Sequence, residues 1–346
     1  MAGTACRKNY LRNMDKINIQ RLADELNLSI ATVSRALSDS YQTRPETKKK
    51  VWDLARKLNY QPNPLASGLR GQKSKNIAVI FPELANSFFS LAINGIEEIA
   101  RQKDYQVLIY LTHESAEREI NFVNSLANGR ADGLLISLSS ETGNYDHITA
   151  LNKQLPVILF DRVCESAEML CVTTNDYESS YKAAAHLIEQ GCRSILYLLA
   201  LKNLSAGKMR LRGYTDALSH SGIPVSDDLV IDCDGNGQEN YAAVKNALLL
   251  QKPDGILSSM EKLGTVCYHA ANELKLSIPK QIKIVSFSNL ETASLLNPSL
   301  TTVTQPAFDI GKEAAHILFQ LLGRKKMIAE NKTIASVLVE RDSTAR

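Results

Sequence analysis

The spacing of apolar residues changes once along this chain, near residue 75. Before that point the apolar positions recur every three or four residues. Ile19, Leu22, Ala23 and Leu26 fall on one helical face, with Asn18 standing before them as a natural N-cap. Val33, Ala36 and Leu37 make a second short stripe behind Ser29, which leaves Ile30, Ala31, Thr32, Ser34 and Arg35 on or near the outer face. A third helix opens near Arg44-Pro45, where proline is tolerated in the first turn, and buries Val51, Leu54, Ala55 and Leu58. Three short helices with a tight turn between the first two predict a small all-α helix-turn-helix unit.

Beyond Lys75 the apolar residues gather into short β-rich runs: NIAVIFPEL, YQVLIYLT, ADGLLISL, LPVILFD, SILYLLAL, DGILSSM and IKIVSFSN. Most are flanked by helical stretches, which predicts parallel, doubly wound sheets with helices on both faces. This α/β body is too long for one sheet, so two subdomains around a cleft are expected. A ligand would sit at the carboxyl ends of the strands.

Composition narrows the function. The chain has 346 residues, 44% of them apolar and 22% charged, with a net charge of +3. That small net charge conceals an asymmetry. Residues 1–75 carry 15 Lys and Arg against 6 Asp and Glu, a net of +9, and the remainder has a net of −6. A basic head on an acidic body suits phosphate binding, because neutralised phosphates release condensed counterions. On charge and periodicity alone, a solvated tail or a packing bundle stays open. The outer face of the second helix adds chemistry for a major groove: small residues allow close approach, Thr32 and Ser34 offer hydroxyls, and Arg35 offers a fork to guanine.

Several classes are set aside. No apolar run reaches membrane-spanning length, and no apolar stretch follows the charged N-terminus, so a cytoplasmic protein without membrane contact is expected. The six cysteines (6, 164, 171, 192, 233 and 267) form no C-x-x-C pair, and the six histidines are dispersed. Reduced thiols and no metal site are therefore expected. The chain has no G-x-G-x-x-G, P-loop or G-x-S-x-G motif, so neither an enzyme nor a cofactor is expected.

The run LADELNLSIATVSRAL, followed by RPETKKKVWDLARKLNYQPNPLASGLRG, resembles the DNA-binding head of the LacI family of bacterial regulators. The A-T-V-S-R core and the N-Y-x-P-N ending carry the resemblance. It implies DNA-facing roles for Asn18, Ile30, Ala31, Thr32, Ser34, Arg35, Tyr60, Asn63, Ala66 and Leu69. Ile30 and Ala31 stand where such repressors vary to choose their operators, and an apolar pair there suits thymine methyls. Pro64 to Leu69 would form a hinge helix, capped by Asn63, that is too short to fold alone. In the family it folds when two copies meet in the minor groove, with the residue matching Leu69 as a wedge. Gly68 is a weaker helix former than alanine by about 1 kcal/mol. A homodimer on double-stranded operator DNA is the implied assembly.

The resemblance continues through the body. IFPELANSFFSLAINGIEEIA, RADGLLIS, LPVILFDR, RLRGYTDAL and PSLTTVTQPAFDIGKEAAHILFQLL resemble successive segments of the family's effector domain. They imply a fold of periplasmic-binding-protein type, with two subdomains joined by three crossings around a small-molecule effector. The implied effector residues are Phe88, Phe89, Asp161, Arg162, Arg210, Ser258 and Ser288. Competing roles are core packing for the two phenylalanines, a strand-end cap for Asp161 and a surface ion pair for Arg210.

Three departures bear on the ligand. Ser288-Asn289 replaces an expected aspartate, SSMEKLG lacks the expected acidic residue at Ser258-Ser259, and the usual Asp-Asn after the crossover reads Asn175-Asp176. A cleft losing carboxylates makes fewer charge-assisted bonds to sugar hydroxyls and tolerates an anion better. The expected layout is a disordered leader over 1–16, the helix-turn-helix over 17–61 and the hinge and linker over 62–75. The effector and dimerisation domain covers 76–346. Its N-subdomain spans about 76–172 plus 304–328, and its C-subdomain about 173–303 plus 329–346.

Overall fold

The computed structural model describes residues 18–37, 42–60, 73–164, 169–323 and 330–345. Residues up to 72 and residues from 73 onward form two separate units.

In the first unit, α1 (Ile19–Leu26), α2 (Ile30–Leu37) and α3 (Pro45–Lys57) make a three-helix head. The Asn18 side chain accepts the Arg21 N–H at 2.9 Å and so caps α1. The chain leaves α1 through Asn27 in the left-handed conformation (φ 53°), which Asn tolerates better than most residues. Ser29 then accepts the Thr32 N–H at 3.2 Å and starts α2. Leu22 and Ala23, Val33 and Ala36, and Val51 and Ala55 form the shared core, two residues from each helix.

The second unit holds two sheets. The first contains β1 (Asn76–Phe81), β2 (Gln106–Leu111), β3 (Gly133–Ile136), β4 (Val157–Phe160) and β5 (Cys171–Thr174), served by helices α4 (Ser87–Gln102), α5 (Ala116–Leu126) and α6 (Asp146–Asn152). The second is built from β6 (Ile195–Leu199), β7 (Val230–Asp232), β8 (Gly255–Ser258), β9 (Lys283–Phe287) and β10 (Thr301–Thr304). Its helices are α7 (Asp176–Glu189), α8 (Ser205–His220), α9 (Gly237–Gln251) and α10 (Glu261–Glu273). After β10 come α11 (Ala307–Leu322), β11 (Lys332–Ile334) and β12 (Val337–Val339). The strand orders are β11-β5-β4-β3-β1-β2 and β12-β10-β9-β8-β6-β7. Neighbours pair in parallel throughout, except β10 with β12. Ile77 to Phe81 of β1 are wholly buried, as helices on both faces require.

The chain passes between sheets three times: from β5 to α7, from β10 to α11, and from β11 to β12. This is the doubly wound, two-subdomain architecture expected from the sequence. The last crossing falls later than expected, however. The sequence pattern puts residues 329–346 in the second subdomain, yet Lys332–Ile334 pair with β5 in the first sheet. The polar NKT stretch conceals this edge strand, because an edge strand buries little side chain.

α4 and α11 pack nearly backbone to backbone. A Cβ on Gly95 would lie 2.1 Å from the Phe308 carbonyl oxygen, and one on Gly311 would lie 1.9 Å from that of Ala92. Only glycine allows this approach. The five described cysteines form no disulfide, and among the described residues no His, Cys, Asp or Glu cluster could hold a metal ion. Among them no helix is long and apolar enough to cross a membrane.

Candidate functional site

On the head, α2 turns Ile30 (42% exposed), Ala31 and Arg35 outward, with Thr32 and Ser34 half-buried beside them. The Thr32 and Ser29 hydroxyls lie 2.8 Å apart, and Arg35 Nε donates to the Ala31 carbonyl at 3.1 Å, which lays the guanidinium along the helix. The result is a small, weakly polar surface that carries the Arg35 guanidinium; α3 holds Lys48, Lys49 and Lys50 in sequence. Tyr60 packs half-buried against the head's core, its N–H donating to Ala55 at 2.8 Å. Burial pushes its hydroxyl above the usual tyrosine range. Asn63, Ala66 and Leu69 lie outside the described residues, as do the leader and most of the expected hinge.

In the body, the carboxyl ends of β1, β4, β6, β8, β9 and β10 converge on a cavity of about 30 Å³. That is room for one or two waters. Each subdomain contributes a guanidinium laid over a phenylalanine and tied to a carboxylate. From the first, Arg162 lies 5.4 Å above the Phe89 ring, and its Nη1 donates to both oxygens of Glu114, at 2.8 and 2.9 Å. From the second, Arg210 lies 4.1 Å above Phe287, donating through Nε to Asp176 at 2.7 Å and through Nη1 to the Ser259 carbonyl at 2.7 Å. Burial works against the charged form of Glu114, but Arg162 and the Ser140 N–H together hold its carboxyl below the usual range.

Asp161 follows β4 in the left-handed conformation (φ 59°). Its nearest donors are distant: Gln305 Nε2 at 3.5 Å and Arg162 Nε at 3.9 Å. Burial pushes its carboxyl up to about 6, although Arg162 and Arg210 oppose the shift. Arg162 Nε is itself buried without a hydrogen-bond partner. Leu201, also left-handed (φ 59°), closes another wall. The chain there presses so near α8 that a Cβ on Gly207 would lie 2.2 Å from the Leu201 carbonyl oxygen.

Of the residues singled out from sequence, Phe88, Phe89, Asp161, Arg162, Arg210 and Ser288 all line this cavity. Phe89 also stacks on Phe81 at 5.3 Å and meets Phe160 edge-on, so core packing and cavity lining coincide. Arg210 sits in a buried ion pair, not a surface one. Ser258 does not reach the cavity. It is fully buried in β8, and its hydroxyl turns back onto the Met260 carbonyl at 2.8 Å.

The expectation of a carboxylate-poor cleft is overturned. Asp176 is drawn to Arg210, while Asn175 before it accepts the Ser336 N–H at 2.8 Å and ties down a crossing strand. Glu261, three residues after Ser258, swings its carboxylate to Ser288 and to Asn289. Reading the motif position by position misses both, because the carboxylates enter from neighbouring positions. Gln305, which bonds Asn289 across the β9 and β10 ends, is not flagged by the sequence, as polar strand-end residues usually are not.

Comparison with known proteins agrees with this layout. Residues 18–63 match the family of bacterial regulatory proteins named for lacI, and residues 74–344 match the periplasmic binding proteins and sugar-binding domain of the LacI family. Catabolite control protein A of Priestia megaterium is 29% identical over 313 residues, covering 89% of this chain and 93% of that protein. A lac repressor dimer bound to operator and the anti-inducer ONPF shares the fold with a TM-score of 0.82 at 22% identity, over 95% of this chain and 99% of that one. A LacI family transcriptional regulator from Enterococcus faecium with bound ribose has a TM-score of 0.70 at 25% identity, over 78% of this chain and 98% of that one. The chain belongs to the LacI family of bacterial regulatory proteins, transcriptional regulators that bind DNA through a helix-turn-helix head and carry a sugar-binding effector domain.

Proposed function

We propose that this regulator is a cytoplasmic repressor that binds a pseudo-palindromic operator as a homodimer. Its affinity for DNA is set by a sugar or sugar derivative held between Phe88, Phe89, Asp161, Arg162, Arg210 and Ser288. One helix-turn-helix reads only a half-site, so two copies are needed for a full operator. On α2, Ile30 and Ala31 suit thymine methyls and Arg35 suits guanine, with Thr32 and Ser34 beside them for phosphate or base edges. Asn18, Tyr60, Asn63, Ala66 and Leu69 complete the proposed DNA surface, Leu69 as a minor-groove wedge.

The observation that carries the effector reading is the coincidence of two under-bonded buried groups, the Asp161 carboxylate and Arg162 Nε, at a cavity walled by phenylalanines. A hydroxylated ring has the complementary chemistry: an apolar face for the phenylalanines and an edge that donates to one group and accepts from the other. A sugar ring needs more room than about 30 Å³, so the subdomains part to admit it.

The test uses operator DNA selected from random sequence by the purified chain, titrated with neutral pentoses, hexoses and disaccharides. Whichever sugar changes operator affinity is then titrated against Asp161→Asn. The ligand midpoint is expected to rise about tenfold or more, the worth of one charge-assisted hydrogen bond. An unchanged midpoint would place the effector elsewhere.

A further inference from the structure

Glu261 opens α10, and its carboxylate reaches from the second subdomain into the first. One oxygen accepts the Ser87 N–H in the first turn of α4 at 3.0 Å. The other accepts the Asn289 N–H at 2.8 Å and the Ser288 hydroxyl at 3.1 Å. A carboxylate suits this seat because the start of α4 has N–H groups with no helical partner and the positive end of the helix dipole. The same cavity is lined by Asp161 and by Arg162, only 2% exposed and with Nε making no hydrogen bond. The two guanidiniums are already taken, Arg162 by Glu114 and Arg210 by Asp176. Asp161 and Glu261 are therefore negative charges in excess.

We propose that Glu261 is a built-in anionic occupant of the cleft and the residue that decides which ligands enter. Resting on the effector reading above, it narrows the ligand to a neutral or cationic polyol, a sugar or amino sugar, and bars phosphorylated or carboxylated ones. An entering anion must displace Glu261 from its three donors or lie beside it and Asp161, and like charges in a buried site exclude one another. Hydroxyls or an ammonium group meet no such opposition, since both carboxylates accept.

The test is titration calorimetry of the full chain with sodium sulfate at fixed ionic strength. Sulfate taken up by the basic head is common to all variants and subtracts. Glu261→Ala frees the seat and is expected to bind one additional sulfate about tenfold more tightly than the wild type does, the worth of one contact at a helix N-terminus. Adding Ser288→Ala, which removes one of the seat's donors, is expected to reduce that gain. Glu261→Gln keeps the size, loses the charge and carries the same expectation if the alanine variant fails to fold. Equal sulfate binding by wild type and variant, or a gain untouched by Ser288→Ala, overturns the proposal. No sugar enters this experiment, so its outcome is separate from that of the Asp161→Asn titration.

Discussion

At the scale of single residues, Asp161 shows what a ligand site costs the fold. Its folded-state pKa of about 6 lies above the ordinary value of 3.8. Between those values the folded chain binds the proton more tightly than the unfolded chain, so stability falls as pH rises through the window. Above it the buried charge costs about 3 kcal/mol. Asp161→Asn is therefore expected to stabilise the protein in urea at pH 7.5 and to change little near pH 4. A variant no more stable than wild type at pH 7.5 would show that the carboxylate is better solvated than its neighbours imply. The same residue was legible in the sequence through the family resemblance, and so were Arg162 and Arg210. Asp176 and Glu261 were visible as residues but not as cleft residues. Which way a helix-opening side chain turns depends on the partner across the cleft, here Arg210 for one and Ser87 with Asn289 for the other.

Among the elements, legibility followed apolar content. β3, β4 and β8 are buried throughout and β1 from Ile77 onward, and each was readable as a strand. β11, with Lys332 and Thr333 exposed, was not, and the subdomain boundary moved with it. Helix packing was similarly hidden, because an apolar stripe shows which face is buried but not how near its neighbour comes. The contact of α4 with α11 depends on Gly95 and Gly311, each of which meets backbone rather than a yielding side chain. Gly311→Ala must push the helices apart and is expected to cost about 1–3 kcal/mol, the usual penalty for overpacking. The loss should appear as a lower midpoint in thermal unfolding. A midpoint equal to that of the wild type would mean that α11 can slide along α4 without loss, contrary to the interlocked glycines.

For the whole molecule, the question is how a cleft and a DNA-reading head in one chain inform each other. Among the described residues, the head has its own hydrophobic cluster and the cavity is lined by residues of the body. Any influence is thus a coupling free energy between two sites, carried by a difference in how each ligand binds the chain's alternative conformations. The cavity identifies one such alternative: subdomains closed on about 30 Å³, with Glu261 bridging them. On the proposed reading, a sugar that holds the subdomains at another angle changes the population of this closed form, and a dimer would carry the change to the operator. Couplings of this kind are typically about 1–3 kcal/mol, which corresponds to roughly 5- to 150-fold in operator affinity. Linkage then imposes an exact symmetry. If the sugar weakens operator binding by a given factor, saturating operator must weaken sugar binding by the same factor. If it strengthens one, it strengthens the other, and the sign separates inducer from corepressor. The expected result is equal ratios from two titrations, sugar into free protein and into the operator complex, and operator into protein with and without sugar. Sedimentation run alongside should show a dimer in every state. Unequal ratios at a constant dimeric mass would mean that one of the two titrations reports a site other than the cleft.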